Sequence, residues 1–211
     1  MYLYLTASIG LFAALLMFCG DMLLYFTKEQ FVPDGTLNPY FAIMKKIPTK
    51  RLMLGGLIGT IAAFFYCIGF LNFIPAALES ANGFAITAVL FHCLGIIVGG
   101  AYHSQFVYFG LIEKSGSDAM KKRTLENVAL LLKTSMVCIA IGSIILTALI
   151  MLGQTIYPRW MAVLTPTVLI FFSGLWSKLP QPFCIVLFGG WNNLVYVILF
   201  LSMLMFTVFG L

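Results

Sequence analysis

Six stretches of this chain are long, apolar and almost free of charge: Tyr2–Phe26, Leu52–Leu78, Gly83–Ile112, Val128–Gly153, Trp160–Trp176 and Phe183–Leu211. Within them only Asp21 and Lys133 carry a full charge. As helices, at about 1.5 Å per residue, such runs can cross about 30 Å of hydrocarbon. A spanning barrel strand would need only about 10 residues of alternating polarity, and no run alternates that way. The pattern therefore predicts an all-α polytopic membrane protein: a six-transmembrane-helix bundle forming one domain over residues 1–211. Composition agrees, since 9% charged residues falls far below the roughly 25% of a soluble domain. Because the N-terminus shows neither a basic n-region nor a small-residue cleavage site, the first run is expected to be a span and not a leader.

The basic residues orient the bundle. Lys28, Lys45, Lys46, Lys50 and Arg51 follow the first span, Lys114, Lys121, Lys122 and Arg123 follow the third, and Lys178 follows the fifth. The opposite connections offer only Arg159, so the positive-inside rule puts both termini outside and the basic loops in the cytoplasm. The long cytoplasmic loop, 27–51, opens with the turn-rich F-V-P-D-G-T-L-N-P and continues into an amphipathic segment, 39–48, suited to the inner leaflet. The net charge of +5 is thus membrane-surface charge and not a nucleic-acid footprint. Pro166 is expected to kink the fifth span.

In lipid, small residues at four-residue spacing mark the faces where helices approach closely. Gly10, Ala14, Met17 and Asp21 share one face of the first span, which turns the carboxylate inward. Gly95, Gly99 and Gly110 share a face of the third with both histidines, His92 and His103. Those rings lie eleven residues apart, about 16 Å along the axis, so one metal cannot bind both, and no metal site is expected. Gly55, Gly56 and Gly59 form a patch on the second span, and Gly189, Gly190, Asn192 and Asn193 one on the sixth. Counting residues inward from the cytoplasmic edge sets Asp21 roughly 8 Å deep, His103 roughly 13 Å and Asn192 roughly 12 Å. Lys133 stands at about the level of Asp21, with Ser173 near it, so Asp21, His103, Ser104, Gln105, Lys133, Ser173, Asn192 and Asn193 can form a polar layer in the cytoplasmic half. Asp21 has two candidate partners, Lys133 and His103. His92 belongs to a sparser outer group with Asn72, Glu79, Tyr157 and Arg159.

An ionisable side chain at membrane depth costs about 2.5–3.5 kcal/mol on insertion scales and is a functional candidate by default. Asp21 and His103 are therefore the candidate catalytic pair, as acid and base. Asn192, Asn193, Lys133, Gln105 and His92 are the candidate ligand contacts. No P-loop, G-x-S-x-G, H-E-x-x-H or dinucleotide fingerprint occurs, and the five cysteines, spread over five runs, show no C-x-x-C pair. No cofactor is expected.

The set G-D-M-L-L-Y-F, R-L-M-L-G-G-L-I-G, H-C-L-G followed by A-Y-H, and Y-P-R-W followed by a proline resembles a family of uncharacterised bacterial six-pass membrane proteins. That resemblance implies a bacterial inner membrane and no particular activity. G-D-M-L-L is also similar to the Gly-Asp element of lysoplasmalogenase-like membrane hydrolases, in which an intramembrane aspartate is implicated in ether-lipid hydrolysis. The expected function is binding of, or action on, a lipidic or amphipathic ligand in a buried polar cavity. The alternatives are a small-solute or proton-coupled transporter and a structural subunit. Membrane lipids are the expected partners, and the glycine faces also suit a homo-oligomer.

Overall fold

A computed structural model describes residues 1–116 and 118–210. Leu211, the last residue of the sixth predicted span, lies outside the described residues. Among the described residues, five helices are long and apolar enough to cross a membrane: α1 (Tyr2–Tyr25), α3 (Thr49–Phe70), α5 (Asn82–Ser115), α6 (Asp118–Met151) and α9 (Phe183–Phe209). Between them lie α2 (Asn38–Met44), on the predicted amphipathic segment, and α4 (Phe73–Ala76), which continues α3 after a break at Leu71–Asn72. The chain is a multi-pass, all-α membrane bundle.

The fifth predicted span is not one helix. It is a 3-10 turn at Arg159–Leu164, then α7 (Pro166–Leu169), a second 3-10 turn at Ile170–Phe172, and α8 (Ser173–Trp176). Pro166 is the first residue of α7, where its missing N–H is harmless, and Thr165 before it is extended, as the residue preceding a proline prefers. The freed backbone polarity is met locally. The Thr165 hydroxyl donates to Ala162 O at 2.7 Å, and the Thr147 hydroxyl lies 2.8 Å from that of Thr165 and 3.0 Å from that of Thr167. The helix that follows the third span likewise begins at Asp118, ten residues before the predicted Val128, so α6 projects beyond the predicted apolar core.

Around the bundle the order is α6, α5, α3, α1 and α9, and the broken segment packs against both α9 and α6 to close the ring. Directions follow from contacts. The Tyr25 hydroxyl donates to Gly189 O at 2.6 Å, whereas Phe200 lies against Gly10, so α1 and α9 are antiparallel. Both termini therefore sit at one end. α6 and α9 run the same way, and residues 152–182 carry the chain back along the length of the bundle. At the terminal end this return segment pairs with the end of α4, through Leu78 N–H to Gln154 O (2.9 Å) and Ile156 N–H to Ala76 O (2.8 Å). At the other end the Trp176 ring packs 5.0 Å from that of Trp191 in α9.

The end opposite the termini is basic and well tied. Arg51 donates from Nη2 to Met22 O (2.8 Å) and Phe26 O (3.0 Å), capping the last carbonyls of α1 with a cation at the negative end of its dipole. Lys114 Nζ donates to Ile47 O at 2.8 Å, Lys121 pairs with Glu113, and Phe41 of α2 stacks on Phe109 of α5 with centroids 3.8 Å apart. In the exposed turn of the long loop, Thr36 donates from its hydroxyl and its N–H to Asp34 Oδ1, which holds the Asp34 carboxyl below its ordinary range.

Candidate functional site: a buried aspartate–histidine pair

Four helices each contribute one polar side chain to a single point. Asp21 of α1 is 6% exposed, His103 of α5 6%, Asn193 of α9 9%, and Tyr66 of α3 is fully buried. His103 Nε2 lies 3.0 Å from Asp21 Oδ1, and Asn193 Nδ2 donates to Asp21 Oδ2 at 2.6 Å. The Tyr66 hydroxyl donates to Asn193 Oδ1 at 3.1 Å. Every donor in this chain points toward the carboxylate, the arrangement suited to an acceptor-only, ionised group. Each oxygen has a partner, which offsets the desolvation that a buried carboxylate suffers.

Small residues make this convergence feasible. A Cβ added at Gly20 would lie 3.1 Å from His103 Cε1, and one at Gly59 would overlap the imidazole ring itself. Gly59, Ala62, Ala63 and Tyr66 lie at helical steps on the buried face of α3, so the phenol emerges from the same stripe that admits the ring.

The imidazole is oriented and half-satisfied. Facing the carboxylate, Nε2 must carry the proton to make the bond, and Nδ1 has no hydrogen-bond partner among the described residues. A proton on Nδ1 would be a buried, unpaired N–H, so the favoured tautomer leaves it as a bare lone pair. In α2, burial first and then the Asp21 charge push the phenol of Tyr40 well above its ordinary value.

Lys133 is not part of this cluster. It is exposed on α6, on a different face from buried Val128, Ser135 and Cys138, and of the two candidate partners Asp21 takes His103. Asn192 is exposed while its neighbour Asn193 is buried, since adjacent helical residues point about 100° apart. Gln105, half-buried on α5, has no part in the hydrogen bonds around Asp21. His92 belongs to a separate contact in the terminal half. Its Nδ1 lies 2.8 Å from Ala88 O and its Nε2 3.2 Å from Ser143 Oγ, with its ring packed on Phe70 at 4.6 Å. Asn72, fully buried, donates to Leu3 O (2.7 Å) and Thr6 Oγ1 (2.9 Å) and accepts from the Tyr157 hydroxyl.

Tyr66 is the member that sequence reasoning missed. A tyrosine in an apolar helix reads as core, and its position on the glycine stripe was the available signal. No three His, Cys, Asp or Glu side chains converge as metal ligands among the described residues. Two grooves of about 430 and 200 Å³ open at the basic end beside Arg51, and neither is lined by Asp21 or His103.

A family model matches residues 3–208, nearly the whole chain. The chain belongs to DUF6796, a family of unknown function. Neither a curated protein nor a solved structure matches this DUF6796 chain. The similarity to lysoplasmalogenase-like hydrolases thus gains no support.

Proposed function

We propose that this chain is a six-crossing protein of a bacterial inner membrane, with its termini outside, in which His103 takes a proton from a lipidic or amphipathic ligand, or from a water acting on it. Asp21 fixes the imidazole in the Nε2–H tautomer, and Nδ1 is the basic atom. The observation that carries this reading is the pairing itself: one ring nitrogen held 3.0 Å from a buried carboxylate, the other without a partner. The same division of labour characterises an oriented general base. Asn193 holds the second carboxylate oxygen and Tyr66 holds the Asn193 amide, which together keep Asp21 from turning away.

Length supports the sixth crossing. Six residues of 3-10 turn at about 2.0 Å and the eleven residues 166–176 at about 1.5 Å or a little more reach about 30 Å, one hydrocarbon thickness. A crossing count of six agrees with both termini lying at the end that holds Arg159 alone, and with the lysines at the other.

A structural role is the second reading, favoured by both carboxylate oxygens being satisfied within the protein. Comparison of total lipids from cells lacking the protein and from cells complemented with wild type, Asp21→Asn or His103→Gln separates the two. The acid–base reading requires a lipid species whose level changes on deletion, returns with wild type, and fails to return with either variant although both are folded and inserted. Restoration by a folded His103→Gln would overturn it.

A further inference from the structure

Beside Arg51 the lipid-facing side of α1 forms a groove of about 430 Å³ lined by Cys19, Met22, Leu23 and Phe26, which are apolar. Arg51 closes its basic end and is shared with the second recess, of about 200 Å³, where Lys46 and Thr27 join it together with Glu29. The two recesses share Phe26 and Arg51, so an apolar trough and a basic recess meet at the guanidinium.

Arg51 is partly spoken for, since its Nη2 caps the α1 carbonyls Met22 O and Phe26 O. That leaves the guanidinium fixed in place with further N–H groups on its fork, five in all. A planar donor held rigidly by a helix terminus loses less side-chain freedom on binding an oxyanion than a free lysine would. Lys46 is exposed and contacts the Glu29 carboxylate at 2.5 Å. With Lys28, Lys45 and Lys50 close in sequence, the surroundings remain net cationic.

We infer that this feature is a binding site for one anionic phospholipid of the inner leaflet, with its phosphate on Arg51 and Lys46 and an acyl chain along Cys19, Met22 and Leu23. Charge complementarity and the order of apolar trough below cations select this occupant over a zwitterionic lipid or a protein helix. The inference rests on the basic end facing the cytoplasmic leaflet and is independent of what His103 does. An inactive His103 variant should bind the lipid as wild type does.

Native mass spectrometry of the full chain released from detergent tests it, with phosphatidylglycerol and phosphatidylcholine of matched acyl chains as probes. Wild type should retain one phosphatidylglycerol in preference to phosphatidylcholine. Lys46→Gln should weaken this about fivefold, the effect of about one surface charge, and Arg51→Gln more strongly. Because Arg51→Gln also removes the α1 cap, Leu23→Trp serves as the folding-neutral variant: it fills the trough from the lipid side and should lower retention with all cations intact. Equal retention of the two lipids, unchanged retention by Leu23→Trp, or displacement by inorganic phosphate alone would each overturn the assignment.

Discussion

Gly59→Ala is the most demanding test of the packing that holds His103. An ordinary carbon contact is about 3.4 Å or more, yet an added Cβ would lie 2.8 Å from His103 Cε1 and nearer still to Cγ and Nδ1. The ring must move by at least about 0.6 Å, and by more at Nδ1. Its Nε2 is held 3.0 Å from Asp21 and its Cε1 also lies against Gly20, so the displacement disrupts the Nε2···Oδ1 bond. Losing a hydrogen bond to a charged group costs about 1.5–3 kcal/mol, and overpacking adds about 1–3 kcal/mol. Alanine's better helix propensity returns about 1 kcal/mol. The net expectation is a destabilisation of about 1.5–5 kcal/mol, read by unfolding in mixed micelles followed by circular dichroism. Gly83→Ala is the control, because a Cβ there meets nothing within 4 Å, and it should be neutral or stabilising by up to about 1 kcal/mol. If Gly59→Ala matched wild type within about 0.5 kcal/mol, the imidazole would not be where the structure puts it.

Three further substitutions probe the same network by the same unfolding assay. Asp21→Asn keeps the shape but must turn an NH2 toward either His103 Nε2–H or Asn193 Nδ2–H, and this donor–donor conflict should destabilise by about 1–3 kcal/mol; no change would mean the carboxylate does not accept from both. Lys133→Gln, at an exposed site, should stay within about 0.5 kcal/mol of wild type, and a large loss would restore it as a partner of Asp21. Tyr157→Phe removes the donor to the buried Asn72 amide oxygen and should cost about 1–2 kcal/mol; an unchanged midpoint would show that Asn72 is satisfied elsewhere.

The sequence carried the membrane class, the basic end and the candidacy of Asp21 and His103, because those follow from run length, charge asymmetry and helical spacing, but it left Lys133 and His103 as equal partners for Asp21. Depth could be counted from residue number, but the direction a side chain takes around its helix could not. That is why Lys133, at a suitable depth, was placed in the polar layer although it faces outward. Asn192 and Asn193 show the same limit between neighbours. The return segment was legible as a proline-kinked run, yet its division into 3-10 turns depends on hydroxyls of Thr147, Thr165 and Thr167 meeting across helices, which no local pattern announces. Tyr66 was hidden by its own apolar ring.

The tautomer of His103 bears most directly on an imidazole oriented by Asp21 with Nδ1 as its basic atom. Nitrogen-15 NMR of the protein labelled at histidine, with His92→Gln to leave a single imidazole, reads it. The structure requires a proton-bearing Nε2 and a bare Nδ1, with Nε2 coupled to the carboxylate and the signal altered by Asp21→Asn. A proton found on Nδ1 with Nε2 bare would contradict the pairing and the proton-accepting role built on it.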